Sequence, residues 1–303
     1  MSKARAWVVA LRLRTLPLAL ASTGMGNFLA AGFHVFSWRI CILTSLTAVL
    51  LQILSNFAND YGDYKHGADN EERIGPQRGL QSGHISLSSM RNAIIACVVI
   101  TLGSGCYLLY IATRELNNSV FILFFLLGIL CIAAAIKYTV GKNPYGYSGF
   151  GDVAVFIFFG IIGVAGTFFL QAKQLNLLIL LPAATLGFLS AGVLNVNNMR
   201  DINSDGEAGK RTIVVRMGLR NAKRYHLFLI TTAFLCLVLF SFLNSNSPWQ
   251  WVFLITSPLF IRHVASVMKQ ESSGMDKYLK QLAISTLLLV LCFGIAISCV
   301  HYV

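Results

Sequence analysis

The sequence predicts an all-α, polytopic membrane protein with nine transmembrane helices. Of its 303 residues, 56% are hydrophobic and 12% are charged, whereas an ordinary soluble domain has about 25% charged residues. The mean hydropathy is +0.67. Charge-free apolar runs of roughly 18 to 25 residues, long enough to cross the hydrocarbon core as helices, recur along the chain. Composition and run length together exclude an ordinary soluble domain.

The predicted spans follow from these apolar runs. One charge-free run, residues 225–261, is too long for a single crossing, and the turn-like segment 244–248 divides it into a hairpin. The nine spans are 16–33, 39–58, 92–113, 117–136, 153–172, 175–196, 226–243, 248–267 and 281–301.

The distribution of positive charge predicts the orientation. Short cytoplasmic loops retain Lys and Arg, and with a cytoplasmic N-terminus only Arg39, Arg114 and Lys173 of the 24 basic residues fall outside. We therefore expect a cytoplasmic N-terminus and an external C-terminus. A cleaved signal peptide is the alternative for the first span, but its removal would invert this asymmetry. The net charge of +12 favours anionic lipids or substrates as partners, and no nucleic acid.

Two clusters of acidic and amide residues interrupt the apolar background, each at the end of a predicted span. Four spans separate the clusters, and an even number of crossings returns both to the same side of the membrane. The sequence therefore predicts one site built from both clusters, within a single domain over residues 1–303 that has motif loops at 56–91 and 195–224. The cluster residues are Asn56, Asn59, Asp60 and Asp63 in the first, and Asn195, Asn198, Asp201 and Asp205 in the second.

The spacing of the carboxylates indicates a bound cation. On a helix continuing from the membrane, Asp201 and Asp205 are four residues apart and share a face, as are Asn59 and Asp63. Like charges so placed repel near a low-dielectric boundary, and a cation between the oxygens relieves the repulsion. Carboxylate and amide oxygens suit Mg²⁺, which leaves its other positions to water and phosphate. The alternative is a solvated loop whose charges pair among themselves.

Basic residues beside the acidic clusters extend this prediction to a diphosphate. Lys and Arg neutralise phosphoryl oxygens that a metal ion does not cover, and Arg does so with two hydrogen bonds. Acidic groups, a metal ion and basic groups around one cavity together indicate a diphosphate ligand. The basic candidates are Arg73, Arg78, Lys142, Lys210 and Arg211.

The segment between the fourth and fifth spans supplies further candidates. Its tyrosines, Tyr138, Tyr145 and Tyr147, are of the kind that anchors a chain at the membrane interface. Asp152 opens the fifth span, where an acid is costly, and is therefore a candidate functional residue. A charge favoured by the helix dipole is the alternative interpretation of Asp152.

At these motifs the chain resembles the UbiA superfamily of intramembrane aromatic prenyltransferases. The first signature corresponds to Asn59-Asp60-Tyr-Gly-Asp63 with a further acid at Asp69, and the second to Asp201 and Asp205. Runs such as Arg-Thr-Leu-Pro at 14–17 and Tyr-Thr-Val-Gly at 138–141 resemble the bacterial branch that acts on 1,4-dihydroxy-2-naphthoate in menaquinone synthesis. The resemblance covers nearly the whole chain.

The resemblance implies a nine-helix bundle in a bacterial cytoplasmic membrane, around a cavity open to the cytoplasmic side. It also implies transfer of a prenyl chain from polyprenyl diphosphate to 1,4-dihydroxy-2-naphthoate, with loss of diphosphate and CO₂, giving demethylmenaquinone. The residues expected to hold Mg²⁺ are Asp60, Asp63, Asp69, Asn198, Asp201 and Asp205. Those expected to bind the diphosphate are Arg73, Arg78, Lys142, Lys210, Arg211, Asn56 and Asn59, and those expected in catalysis are Tyr138, Lys142 and Asp152.

Two alternatives stay open at this point. Another aromatic acceptor, such as a hydroxybenzoate, a homogentisate or a porphyrin, would use the same diphosphate chemistry. A cation-coupled transporter also carries intramembrane acids and internal repeats. A transporter places its acids near the bilayer midplane, however, whereas these acids lie at helix ends on one side.

Overall fold

The computed structural model describes residues 2–67, 78–244 and 247–298. Within these ranges the chain is helical, with turns and short 3₁₀ segments between the helices, and contains no β-strand. A π-helical segment, Phe156–Gly166, joins α6 to α7 in the following series. The helices are α1 Lys3–Leu11, α2 Leu16–Gly32, α3 Trp38–Lys65, α4 Leu87–Thr113, α5 Asn118–Lys137, α6 Gly151–Val155, α7 Thr167–Ala172, α8 Leu180–Arg200, α9 Ile202–Glu207, α10 Ile213–Asn244, α11 Ser257–Lys269 and α12 Asp276–Ser298.

The membrane-spanning character of the chain is confirmed. In the described ranges, eight helical segments are long and apolar enough to cross a membrane, and they overlap the second to ninth predicted spans. The first predicted span corresponds to α2, which has 17 residues. The all-helical fold class is therefore confirmed. The number of nine transmembrane helices and the opening of the cavity toward the cytoplasm stay predictions.

The two acidic clusters lie on helices, which corrects the prediction of motif loops at 56–91 and 195–224. Helix α3 continues to Lys65, about two turns beyond the predicted end of its span. Helix α8 likewise runs to Arg200, and α9 begins directly after Asp201. The polar side chains of these last turns have partners within the protein. Basic side chains pair with the carboxylates, and Thr139 in the loop after α5 donates a hydrogen bond to Asn59.

The π-helical segment, called here the π segment, packs closely against α2. π-helices have i→i+5 hydrogen bonds, are rare and frequently occur at functional sites. Ser22 of α2 donates a hydrogen bond to the carbonyl oxygen of Phe159 in this segment. Gly26 permits the close packing, because a Cβ there would lie 2.5 Å from the carbonyl oxygen of Val164. The π segment is thereby fixed as a wall beside α2.

Helix α8 forms the centre of the bundle. It packs against α2, α10, α12 and the π segment, and most of its side chains are buried. A helix that is apolar on all sides is expected in such a position. Because α8 ends at Arg200, the second acidic cluster is placed at the middle of the bundle, at the end of the central helix.

Candidate functional site

A cavity of about 430 Å³ lies inside the bundle. Its walls come from α2, α3, α4, α5, the π segment and α8. Residues of both acidic clusters line one end, among them Asn59, Asp63, Asp201 and Asp205. Away from this polar end, the lining is mostly aliphatic and aromatic. Such a cavity fits a molecule with an ionic head and an apolar tail.

Two arginines contact the first acidic cluster. Arg12 Nη2 lies 2.5 Å from Asp60 Oδ1, and Arg78 Nη1 lies 2.7 Å from Asp63 Oδ2. Arg78 Nε also lies 3.3 Å from Asp60 Oδ1, so one guanidinium contacts both carboxylates. The Arg12 backbone is left-handed, with φ 48°, which is uncommon for a residue other than glycine. This bend between α1 and α2 brings the Arg12 side chain to the end of α3.

Lys210 joins the two clusters. Its Nζ lies 3.2 Å from Asp63 Oδ1 and 3.1 Å from Asp205 Oδ1, although 147 residues separate Asp63 from Lys210. The Tyr147 hydroxyl donates to Asp63 Oδ1 at 2.6 Å, and Lys210 Nζ lies 4.6 Å from the centre of the Tyr147 ring. The structure therefore brings the two clusters together, with an ammonium group between two of their carboxylates.

Arg200 and Asp276 hold the second cluster in place. Arg200 Nε and Nη2 donate to the two carboxylate oxygens of Asp201 at 2.7 and 2.6 Å, and Arg200 Nη1 lies 2.6 Å from Asp276 Oδ1. Arg14 Nη1 reaches the same oxygen at 2.9 Å. The Arg200 side chain is 1% exposed, and a charge so deeply buried is stable only when paired. This network ties the chain before α2, the end of α8 and the start of α12 together.

These contacts shift pKa values outside the membrane-spanning helices. Burial lowers the pKa of Lys210, but the carboxylates of Asp63 and Asp205 outweigh that effect and hold it above its ordinary value. Burial raises the pKa of Asp205, and the charge of Lys210 offsets this only in part. Burial and then the charge of Asp63 raise the pKa of Tyr147. At neutral pH, Lys210 is therefore an ammonium and Tyr147 a hydrogen-bond donor.

The amides of the first cluster orient the backbone around the carboxylates. Asn56 Nδ2 donates to the carbonyl oxygen of Leu11 at 2.9 Å, which fixes the bend between α1 and α2. Asn59 Oδ1 accepts a hydrogen bond from Thr139 Oγ1 at 3.2 Å. Gly62 permits this approach of the loop after α5, because a Cβ there would lie 2.5 Å from the Thr139 carbonyl oxygen.

Tyr138 lines the cavity, whereas Asp152 does not. Asp152 is 4% exposed, and its carboxyl interacts with the hydroxyl of Tyr225 on α10. The Tyr138 hydroxyl lies beside Gly151, since a Cβ there would be 2.8 Å from it. Burial and then the charge of Asp152 raise the pKa of Tyr138. These two predicted residues are therefore neighbours, with Tyr138 facing the cavity and Asp152 behind it.

Two of the predicted basic residues, Lys142 and Arg211, lie beside the cavity and not in its lining. They line a second pocket of about 270 Å³. Tyr147 lines both pockets. Asp69 and Arg73, the remaining predicted ligands, lie outside the described residues.

Sequence reasoning missed four charged residues of this site. Arg200 directly precedes Asp201 and could have been found by the argument that singled out the other basic residues beside the clusters. Arg12 and Arg14 contribute to the charge asymmetry, which gives no reason to place them here. Asp276 is an isolated acid before the last predicted span. Lys277 and Lys280 lie between it and that span, so no pattern in the sequence singles it out.

The donor groups of the two clusters fit a hard divalent cation. Carboxylates of the four aspartates and the amide of Asn198 lie at or beside the polar end of the cavity. In the part of the chain that the structure describes, no three acidic, His or Cys side chains converge on one point, and Arg78 and Lys210 stand between the carboxylates. Mg²⁺ needs only one or two carboxylates and takes its other ligands from water and phosphate. One ion at each cluster is therefore compatible with the donors present.

Residues 19–289 match the UbiA prenyltransferase family. Similar proteins include the 1,4-dihydroxy-2-naphthoate octaprenyltransferase of Escherichia coli, 46% identical over 269 residues, or 89% of this chain and 87% of that protein. The Haemophilus influenzae protein of the same name is 42% identical over 298 residues, which cover 97% of this chain and 96% of that protein. The Mycobacterium tuberculosis protein of that name is 36% identical over 86% of this chain and 85% of its own.

Solved structures of UbiA homologues share the fold. The apo structure of a homologue from Aeropyrum pernix K1 matches with a TM-score of 0.67 and 18% identity, over 95% of this chain and 97% of that one. A homologue from Archaeoglobus fulgidus bound to GPP and Mg²⁺ matches with a TM-score of 0.63 and 16% identity, over 96% of this chain and 100% of that one. At such identities the likeness concerns the fold, and it confirms the all-helical bundle.

Proposed function

The chain belongs to the UbiA prenyltransferase family, and we propose that it transfers a polyprenyl chain from polyprenyl diphosphate to 1,4-dihydroxy-2-naphthoate. Relatives named for this reaction are 46% and 42% identical over most of the chain. The observation that carries the proposal is the cavity, which joins an apolar interior to two acidic clusters and their basic partners. It offers an apolar lining to an isoprenoid tail and charged groups to its diphosphate. The product is the hydroquinone form of demethylmenaquinone, after loss of CO₂ and diphosphate, because the ring stays at the dihydroxy oxidation level.

The two acidic clusters are the proposed Mg²⁺ sites. Asp60 and Asp63 would hold one ion and Asp201 and Asp205 the other, with Asn198 beside them. When bound, the metal acts as a Lewis acid that stabilises the negative charge on the departing diphosphate. The Archaeoglobus homologue bound to GPP and Mg²⁺ supports the use of a divalent metal in this family. Asp69 stays a proposed ligand from the resemblance.

The basic side chains of the polar end change partners in this proposal. Arg12, Arg78 and Lys210 pair with carboxylates in the structure, and we propose that they turn to the diphosphate oxygens when the substrate binds. Charge-assisted hydrogen bonds of this kind are among the strongest available to the protein. Asn56 and Asn59 support them by fixing the backbone. The predicted contacts Arg73, Lys142 and Arg211 stay proposals, the last two from the neighbouring pocket.

The reaction joins the allylic carbon of the donor to the naphthoate ring. The C–O bond of the diphosphate breaks with its electron pair on oxygen, the electron-rich ring attacks the allylic carbon, and the carboxylate leaves as CO₂. Tyr138 and Tyr147 line this end of the cavity, and a ring face over a carbocation is worth about 2 kcal/mol or more when desolvated. Since Asp152 lies behind Tyr138, we propose that it orients the naphthol hydroxyl through that tyrosine.

The protein is a multi-pass membrane protein, and we propose the bacterial cytoplasmic membrane as its location. The charge asymmetry favours a cytoplasmic N-terminus and an external C-terminus. In this orientation, the acidic clusters at the ends of α3 and α8 face the cytoplasm. The water-soluble acceptor then reaches the site without crossing the membrane.

We expect Asp276→Asn to raise the Mg²⁺ concentration for half-maximal activity by roughly threefold to fivefold, the effect of a half-exposed ion pair worth up to about 1 kcal/mol. Without this carboxylate, the Arg200 guanidinium holds Asp201 more firmly and competes better with the metal. A Mg²⁺ titration of activity measures the shift. Glu271→Gln, which removes an exposed acid nearby, is the control and should behave as wild type. An unchanged requirement in Asp276→Asn would contradict this positioning role.

A product assay tests the proposed function. Membranes containing the protein receive Mg²⁺, octaprenyl diphosphate and one of several aromatic acceptors, and products are identified by mass. We expect a prenylated product from 1,4-dihydroxy-2-naphthoate that lacks the acceptor carboxylate. A product from another acceptor alone would contradict the naphthoate assignment. Cation uptake into vesicles without any prenylated product would favour the transporter alternative.

A further inference from the structure

Gln52 lies on α3 and lines the cavity about two turns away from Asp60. Eight residues separate the two in the sequence, or about 12 Å along the helix axis, with Gln52 on the side of the apolar interior. A diphosphate held at the acidic clusters, together with its metal ion, spans much of this distance. Gln52 therefore lies near the level at which the first carbon of the isoprenoid chain meets the aromatic ring.

A chain of hydrogen bonds fixes which end of the Gln52 amide faces the cavity. Thr15 Oγ1 donates to the Arg12 carbonyl oxygen at 2.9 Å, and Asn56 Nδ2 donates to the Leu11 carbonyl oxygen at 2.9 Å. The first contact leaves Thr15 Oγ1 only its lone pairs, and the second turns Asn56 Oδ1 toward Gln52. Gln52 Nε2 donates to both of these oxygens, at 3.3 and 3.2 Å. Both amide hydrogens of Gln52 are thereby used within the protein.

The amide oxygen of Gln52 is left to the cavity. In the ranges that the structure describes, Gln52 Oε1 has no hydrogen-bond partner, and its side chain is half-buried. An amide oxygen that loses water without gaining a donor destabilises the complex. A ligand that fills this part of the cavity must therefore bring a hydrogen-bond donor to Gln52.

Only one kind of group in the two proposed substrates can satisfy this oxygen. The oxygens of a metal-bound diphosphate and of a carboxylate accept hydrogen bonds, and the isoprenoid chain has no polar hydrogen. The hydroxyl groups of 1,4-dihydroxy-2-naphthoate can donate. The 1-hydroxyl lies next to the carboxylate and donates to it within the molecule, so the 4-hydroxyl is the one that needs an acceptor from the protein.

We propose that Gln52 Oε1 accepts a hydrogen bond from the 4-hydroxyl group of the naphthoate, which makes Gln52 a specificity-determining residue. A site built to hydrogen-bond a substrate hydroxyl discriminates against an analogue that lacks it, because the polar group of the site is then left unpaired. This inference rests on the proposed function, because that function supplies the naphthoate.

The test is a binding cycle that pairs a change in the protein with a change in the ligand. Purified protein in lipid nanodiscs, with Mg²⁺ and the inert donor analogue farnesyl thiolodiphosphate, binds either 1,4-dihydroxy-2-naphthoate or 1-hydroxy-2-naphthoate, which lacks only the 4-hydroxyl. Gln52→Met removes the amide and keeps the length of the side chain, and Gln52→Leu repeats the change with a branched side chain. Thr47→Val is the matched control, because Thr47 also lies on α3 and lines the cavity, but its hydroxyl is paired with Ser104 at 2.8 Å.

We expect wild-type protein to bind the dihydroxy ligand about fivefold to tenfold more tightly than the monohydroxy ligand, the effect of one neutral hydrogen bond. Gln52→Met and Gln52→Leu should bind the two ligands with affinities within about twofold of each other, and Thr47→Val should keep the wild-type ratio. The lost contact between Gln52 and Asn56 affects both ligands alike and cancels in the ratio. An unchanged ratio in a folded Gln52 variant, or no preference in wild type, would overturn the proposal.

The binding cycle is independent of prenyl transfer, because the carbon–sulfur bond of the donor analogue does not break. If wild-type protein shows the expected ratio but does not prenylate the naphthoate, the proposed function fails and the role of Gln52 in binding stands. If wild-type protein prenylates the naphthoate but the Gln52 variants keep the ratio, only the role of Gln52 fails.

Discussion

Asp60→Asn and Asp201→Asn should each lower prenyl transfer by about 10³-fold or more, because loss of a metal-binding carboxylate removes several kcal/mol of charge stabilisation from the departing diphosphate. Asparagine keeps the size of the side chain and removes its charge. In the second variant, Arg200 retains Asp276 as a partner at 2.6 Å, so we expect the fold to survive. Turnover of octaprenyl diphosphate and naphthoate by purified protein at saturating Mg²⁺ measures the effect.

Glu115→Gln is the control for these variants. Glu115 is 79% exposed and pairs with Arg114 between α4 and α5, so the substitution removes the same charge without touching the cavity. We expect its turnover to equal that of wild type. Size-exclusion chromatography and circular dichroism establish that each variant is folded. Normal turnover by a folded Asp60 or Asp201 variant would remove that residue from the site.

Lys210→Gln should raise the KM for polyprenyl diphosphate by about tenfold to a hundredfold, the equivalent of a charged hydrogen bond worth about 1.5–3 kcal/mol. The Lys210 ammonium lies between Asp63 and Asp205, where it is available to a diphosphate held by both clusters. Because this interaction helps bind the donor before reaction, kcat should fall less than kcat/KM. Lys210→Arg keeps the charge and should restore part of the affinity.

Lys269→Gln is the control for the lysine variant, because Lys269 is an exposed residue at the end of α11. It should leave the KM for both substrates unchanged. The same assay on Lys142→Gln tests whether the neighbouring pocket takes part in donor binding. An increase confined to the KM for naphthoate in Lys210→Gln would contradict the role given to Lys210.

The sequence was sufficient for the membrane class and for the meeting of the two acidic clusters. The length of the charge-free runs matches the thickness of the bilayer, and Lys and Arg are concentrated between the spans on one side. Two similar motifs separated by an even number of spans must face the same side of the membrane. The contact of Lys210 with both Asp63 and Asp205 agrees with that inference.

The partners of the carboxylates could not be predicted in the same way. Arg14 and Asp276 are 262 residues apart; Asp276 belongs to no local pattern, and the Arg-Thr-Leu-Pro run that begins with Arg14 does not indicate its partner. Their pairing depends on how α2, α8 and α12 pack, which an almost uniformly apolar sequence does not specify. The π segment could not be predicted either. Its residues are apolar throughout, so they show no periodicity that distinguishes a π-helix from an α-helix.

The direct test of a single diphosphate site built from both clusters is a double-mutant cycle on donor binding. Affinity for polyprenyl diphosphate is measured by competition, with and without Mg²⁺, for wild type, Asp60→Asn, Asp201→Asn and the double variant. If the clusters bind one diphosphate together, binding depends on Mg²⁺ and the free-energy losses of the single variants do not add, because groups that act as a unit are non-additive. Losses that add fully, or binding that persists unchanged without Mg²⁺, would contradict a shared site.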